Sequence, residues 1–313
     1  MRRRLLGALA GLALLAGCAG PAPRSSAERG GCPTRLLADI PAQFDRTGIR
    51  IPVSVNGTRL MLLVDTGATG IGLLSASAAK RAGLTVDPAS ARTHVALSGP
   101  SQTPVVPNVR VEVEGLPTQT GPVAIAPDTT LAGFGDGLIG ARILGGQDLE
   151  LNPFEGRVRF HAVAPGCQQI IPFDGPTVGV RLQQAPNGLL FAPMTLDGTT
   201  LLALIDTGAS GTLLLDPGID RLGIRSRVAE APKGGLAKDW SGNTVQGTPL
   251  RFREVLIGPA RGRDPVIPYV AAPIRVADAI IGRDYLAQKP IWVSYATVTL
   301  FILNRPAPSG SVR

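Results

Sequence analysis

Histidine is almost missing from this 313-residue chain: there are two, His94 and His161, far apart. Three cysteines accompany them. So small a set excludes most structural zinc sites and any His-rich metal centre, and neither a metal nor another cofactor is expected. Aromatic residues are also scarce, at 4%. A single-stranded nucleic-acid groove needs stacking rings set among basic residues, whereas beyond the N-terminal segment the arginines are scattered, with small clusters at Arg225/Arg227, Arg251/Arg253 and Arg261/Arg263. No nucleic-acid partner is expected. These arginines read as a solvated basic surface, with at most a weak attraction to an anionic membrane or cell wall. The abundant residues are Gly and Pro, 39 and 28 of them, a turn-rich composition that favours many short strands over long helices. With 44% hydrophobic and 17% charged residues the chain can bury a core, and its length suggests about two domains.

Arg2, Arg3 and Arg4 precede a 12-residue apolar stretch, Leu5 to Ala16, that ends in Leu15-Ala16-Gly17-Cys18. Twelve residues are too few to cross a bilayer, which takes about 20, and the composition points away from a membrane transporter. A charged start, a short apolar segment and small residues read as a secretory signal over residues 1–17. Leu-Ala-Gly-Cys resembles a bacterial lipobox. The resemblance implies that Cys18 is lipidated and begins the mature protein; an ordinary signal peptide with an incidental Cys is the plainer alternative. Ala19, not Asp, implies outer-membrane retention. The expected place is the bacterial cell envelope, lipid-anchored at the outer membrane and facing the periplasm, with the membrane as a partner through the N-terminal lipid. Residues 18–34 form a flexible tether. Cleavage removes three Arg and lowers the formal charge from +8 to +5. Cys32 and Cys167 then remain, an even pair that reads as a disulfide in an oxidising compartment, with two buried thiols as the alternative.

The chain repeats itself. Leu60 to Val64 runs into Asp65-Thr66-Gly67-Ala68-Thr69-Gly70, and Leu201 to Ile205 runs into Asp206-Thr207-Gly208-Ala209-Ser210-Gly211, an offset of 141 residues. Upstream, Asn56-Gly57 and Asp197-Gly198 hold the same offset between alternating apolar runs, and both favour two-residue hairpin turns. Downstream, Ser75 can cap a short helix ending near Gly83, and Asp216 another with Pro217 in its first turn and Gly223 at its end. Leu138-Ile139-Gly140 matches Ile280-Ile281-Gly282, and each is followed by further apolar alternation. Each half therefore reads as hairpin, Asp-Thr-Gly, strand, short helix, long β region, apolar-apolar-Gly and final strands.

Apolar-apolar-Asp-Thr-Gly-Ala-[Thr/Ser] followed by apolar-apolar-Gly resembles the aspartic proteases. Ala after the Gly is similar to the retroviral, retropepsin branch, but one chain carries both copies, as in pepsins. The resemblance implies an all-β fold of two pseudo-twofold-related β-barrel lobes with short helices. The first lobe would span 35–165, the second 166–305, and 306–313 would be a tail. It implies Asp65 and Asp206 as catalytic residues of an aspartic endopeptidase, with an extended peptide or protein as substrate and a monomer as the working form. Two carboxylates about 3 Å apart cannot both ionise, so they share a proton and act as base and acid on a water. Gly67 and Gly208 let the two loops approach. By resemblance, Thr66 and Thr207 would bond to the opposite loop, and Gly140 and Gly282 would support it. Pepsins carry a hydroxyl where Ala68 and Ala209 stand. Its loss favours a dyad that stays partly protonated to higher pH, hence a near-neutral to mildly acidic optimum.

Substrate flaps are expected at the polar turns before the apolar-Gly strand. These lie around Ser98-Gly99-Pro100-Ser101 in the first half, and between Ala237 and Asn243 in the second, where Trp240 is either a tip or a core or rim residue. Gly135 to Gly140 matches G-x-G-x-x-G, but that pattern binds dinucleotides only between a strand and a helix of a βαβ unit. Ser210 is not in a G-x-S-x-G elbow. Asp136 and Asp278 read as turn formers. A rival to the enzyme is a non-catalytic peptide- or cell-wall-binding lipoprotein on the same two-lobed scaffold.

Overall fold

The computed structural model describes residues 30–131, 133–239, 241 and 243–304. The signal segment, Cys18, most of the tether, Trp240 and the tail lie outside these residues. In each half the chain folds first as a hairpin. Gly48–Val55 pairs with Thr58–Val64 around Asn56 and Gly57, whose φ angles are 47° and 84°. Leu190–Leu196 pairs with Thr199–Ile205 around Asp197 and Gly198, at 45° and 90°. Positive φ at both central residues is what Asn-Gly and Asp-Gly supply at least cost.

The second strand of each hairpin ends at the Asp-Thr-Gly loop. Beside it, in parallel, runs the apolar-apolar-Gly segment, as Gly137–Ile139 in one half and Ala279–Ile281 in the other. On its far side that segment pairs antiparallel with the short strand after the loop, Gly72–Ser75 or Leu213–Leu214. Both central segments are fully buried, which is why they are apolar without alternation. A helix follows each short strand. Ser75 caps Ala76–Arg81 through the Ala78 amide, as expected. Asp216 does not cap Asp216–Leu222; it is the first helical residue, and its carboxylate instead accepts the Tyr269 hydroxyl at 2.9 Å. Gly223 ends that helix in the left-handed region. Asp136 and Asp278 do more than form turns. Each accepts the backbone N–H of the hairpin strand, Met61 at 2.9 Å or Leu202 at 2.8 Å, and pairs with an arginine of the nearby helix, Arg81 or Arg221.

The two lobes close differently. In the first, Val105–Glu112 pairs with Gln119–Ala126 on one side and with Gly48–Val55 on the other, completing a six-stranded barrel. In the second, the corresponding stretch is broken. Thr244–Arg251 pairs with Val266–Val270, Glu254–Ile257 pairs with Leu190–Leu196, and the barrel stays open between them. A further sheet belongs to both halves. Its six strands run Thr34–Pro41, Arg157–Val163, Asp148–Asn152, Ile291–Ser294, Thr299–Leu303 and Thr177–Arg181, with each half mirroring the other about the central pair. One apolar core runs through barrel, half-barrel and shared sheet, including Ile51, Leu62, Leu149, Phe160, Leu201 and Val293. Cys32 and Cys167 form a disulfide with Cα atoms 5.9 Å apart, packed beside Ile170 and the shared-sheet Trp292.

Candidate active site

Two loops from different halves meet where the hairpin strands end. The amide of Asp65 donates to Ile139 at 3.1 Å and that of Asp206 to Ile281 at 3.0 Å, so each loop begins tied to the buried central strand. The Thr66 hydroxyl donates to the Ile205 carbonyl at 2.8 Å and accepts the Thr207 amide at 3.0 Å. The Thr207 hydroxyl returns both bonds, to the Val64 carbonyl at 2.6 Å and from the Thr66 amide at 3.1 Å. Both threonines are buried. Each hydroxyl spends its donor and its acceptor in the opposite half, which leaves no unpaired polar group and locks the two loops in register.

Oδ1 of Asp65 accepts the amides of Gly67 and Ala68 at 2.9 and 3.1 Å. Oδ1 of Asp206 accepts those of Gly208 and Ala209 at 2.8 and 2.9 Å. Each carboxyl lies against the glycine of the opposite loop, so the two groups face each other closely and each affects the other's ionisation. Neither glycine of the loops could carry a side chain. A Cβ on Gly67 would stand 2.5 Å from Oδ2 of Asp206, and one on Gly208 would stand 2.5 Å from Cγ of Asp65. Gly140 and Gly282 are constrained likewise, since a Cβ there would stand 2.8 Å from the Ala68 carbonyl oxygen or 2.5 Å from the Gly211 carbonyl carbon.

Asp65 is pushed well above the usual carboxylate range, first by burial and then by the charge of Asp206. Asp206 is also raised by burial, but the Ala209 and Gly208 amides, the Asp65 carboxyl and the charge of Arg283 oppose the rise. Arg283 escaped sequence reasoning. Its guanidinium is buried and donates to the Thr207 and Gly208 carbonyls at 3.0 and 2.7 Å. The signal was present in Ile281-Gly282-Arg283, set against Ile139-Gly140-Ala141 in the other half.

The expected flap segments are hairpins. Arg92–Ala96 pairs with Gly99–Thr103, so the turn is Leu97-Ser98 and Gly99 already opens the returning strand. Leu236–Lys238 pairs with the start of Thr244–Arg251. The two tips touch. The Ser98 amide donates to Oδ2 of Asp239 at 2.8 Å, the Ser98 and Ser241 hydroxyls are 3.1 Å apart, and the Asn243 amide side chain donates to Ser98 Oγ at 3.1 Å. Leu97 packs against an apolar cluster of the other half that includes Phe191, Leu204 and Ile280 and reaches Ala209. The first half builds a similar cluster from Leu63, Leu73 and Leu138, reaching Ala68. Each dyad residue is thus flanked by an apolar wall. Among the described residues no group of His, Cys, Asp and Glu is arranged to hold a metal ion.

A sequence profile described as aspartyl protease matches twice, over residues 51–143 and 192–285. No curated protein matches the sequence. Among solved structures, the aspartic proteinase from Irpex lacteus is similar at 12% identity, with a TM-score of 0.46 over 88% of this chain and 99% of that one.

Proposed function

The chain belongs to the aspartyl protease family, and we propose that it is an endopeptidase that cuts extended peptide segments with a water activated between Asp65 and Asp206. The observation that carries this reading is the close approach of the two buried carboxyls, both shifted upward, at the crossing of two reciprocally bonded loops. Such a pair holds one proton between its members, and its titration belongs to the pair. As the water oxygen bonds to the scissile carbonyl carbon, the ionised carboxylate takes a proton from the water. The protonated carboxyl gives its proton to the carbonyl oxygen. The resulting gem-diol collapses when the dyad protonates the amide nitrogen, the C–N bond breaks, and a diol proton returns to the dyad. One water and one peptide bond are consumed, and the dyad again holds one proton.

The substrate main chain would add as a strand to the flap hairpins, with alternate side chains directed to the walls beside Ala68 and Ala209. Those alanines offer backbone amides but no hydroxyl to the carboxylates, which favours cleavage from mildly acidic to neutral pH. Both halves of the site lie in one chain, so a monomer suffices. Lipid anchoring through Cys18 remains part of the proposal and would direct the enzyme to peptides or proteins of the cell envelope.

The test is a diverse peptide library incubated with soluble protein beginning at Ala19, beside Asp65→Asn, Asp206→Asn and the double variant. We expect wild-type cleavage, loss of turnover in each single variant, and little further loss in the double, since the two residues act as a unit. Peptide binding should survive. Wild-type protein that binds peptide, leaves every bond intact across this pH range and is indifferent to both Asn substitutions would overturn the enzyme in favour of a binding lipoprotein.

A further inference from the structure

The helices Ala141–Leu144 and Arg283–Leu286 begin in the same way. Gly140 or Gly282 precedes each, and the first helical amide donates to the Asp-Thr-Gly loop of its own half, Ala141 to Ala68 at 2.8 Å and Arg283 to Ala209 at 3.0 Å. The backbone is repeated, but the side chain is not. Where the first half has a methyl group, the second has a buried guanidinium that bonds two carbonyls of the loop carrying Asp206. Its other terminal nitrogen crosses to the first half and donates to the Arg46 carbonyl at 3.2 Å.

The difference is fixed by packing. Facing Ala141, the turn of the opposite half comes in close. A Cβ on Gly188 would lie 3.1 Å from the Ala141 methyl, and Gly188 itself sits at φ +87°. A longer side chain at position 141 would meet this turn. Facing Arg283, the equivalent turn at Arg46 presents a carbonyl that the long side chain can reach. The charged groups around Arg283 are Asp206, Asp65 and Asp45, opposed by Arg50, and Arg50 itself is paired to Asp45. The two dyad carboxyls therefore supply the negative charge that this buried cation most directly faces, and it is fastened to the Asp206 loop rather than the Asp65 loop.

We propose that Arg283 is a positioning residue that makes the dyad unequal: it keeps the negative charge on Asp206, the base toward water, and leaves the shared proton on Asp65, the acid toward the carbonyl. This deepens the endopeptidase reading and rests on it for the two roles. The charge assignment itself can be measured without turnover. A buried cation bonded to one loop favours the ionised form of that loop's carboxylate. Arg283 also faces the charge of Asp65, but it is hydrogen-bonded to the Asp206 loop alone, and the Asp65 loop has Ala141 in the equivalent place.

The experiment is a carboxyl 13C NMR titration of protein labelled at aspartate Cγ. Asp65→Asn and Asp206→Asn assign the two dyad signals. In the wild type the Asp206 signal should move at lower pH than the Asp65 signal. In Arg283→Gln the two should converge, and the acidic limb of the cleavage profile should rise by about one pH unit, a tenfold loss of rate on that limb. Arg283→Lys, which keeps the charge, should restore the order. Coincident or reversed wild-type titrations overturn the inference, as does an unchanged separation in a folded Arg283→Gln. Should Arg283→Gln fail to fold, the wild-type order decides alone. If no peptide is ever cut, the endopeptidase reading fails while the titration still decides where the charge resides.

Discussion

Ser98 and Asp239 stand 141 residues apart, the repeat offset of the chain, and they touch: the Ser98 amide donates to the Asp239 carboxylate at 2.8 Å. Thr66 and Thr207 share that offset and also touch. Equivalent positions can meet only on the axis that relates the halves, so the axis passes through the floor of the site and through the contact between the flaps. The floor contact is reciprocal; the flap contact is not, because serine faces aspartate. Burial alone would raise Asp239, but hydrogen bonds from Ser241 and Ser98 outweigh it and hold the carboxyl below its usual value. A depressed carboxylate contributes its stabilisation above the unfolded value, near 4, and loses it as pH falls through the folded one. Asp239→Ala should therefore speed hydrogen exchange at the Ser98 amide, by about tenfold if one charged hydrogen bond is lost. The difference from wild type should shrink in acid. Unchanged exchange at neutral pH would show that the tips do not depend on this carboxylate.

The dyad has the opposite sign. Asp65 and Asp206 are both raised in the folded state. Their contribution is present below the usual carboxylate range and is lost as pH rises through the raised values. Asp65→Asn should thus unfold at a higher temperature than wild type at neutral pH. The gain should be on the order of 1 kcal/mol, or a few degrees, and should fade below about pH 4. A thermal melt at each pH reads this directly. A variant less stable than wild type at pH 7 would mean that the carboxyl pair costs the fold nothing.

Gly208→Ala places a methyl group 2.5 Å from Cγ of Asp65. Something must shift, and the nearest atoms are those of the dyad. We expect turnover to fall by about 100-fold or more, the scale of a misplacement near 1 Å. Far-ultraviolet circular dichroism should stay close to wild type, since the loop threonines and the apolar core remain. Retention of full rate would show that the carboxyls tolerate a wider separation than their close approach suggests.

The Cys32–Cys167 bridge closes a 135-residue separation. Cross-links over loops of this length stabilise by about 2–5 kcal/mol. Replacing both cysteines by serine should lower the denaturant midpoint accordingly, with a steeper slope as the untethered unfolded chain exposes more surface. Equal midpoints for the oxidised protein and the variant would assign the bridge no role in folding.

What could be read in the sequence was local. Asn56-Gly57, Asp197-Gly198, Ser75 and the glycines of both Asp-Thr-Gly loops follow from backbone chemistry within a few residues, and the repeat offset placed them in two equivalent units. Features that need the two halves to approach were hidden. The shared sheet joins Asp148–Asn152 to Ile291–Ser294 through register that no local pattern encodes. Phe252-Arg253, where the second barrel opens, differs from its counterpart by no turn signal strong enough to mark a break. Asp216 carried a good capping residue type, yet Tyr269 competes for its carboxylate. Arg283 reads as a surface arginine until Arg46 arrives from the other end of the chain.

The unequal neighbours of Ala141 and Arg283 bear on how this site can vary. In an assembly of two identical chains every substitution occurs twice, on both sides of the axis. An arginine at this position would then face each carboxylate alike, and could not choose between them. Here a single codon change alters one side alone. The tandem arrangement therefore opens a space of asymmetric solutions, in which acid and base can be tuned separately, that a symmetric pair cannot enter.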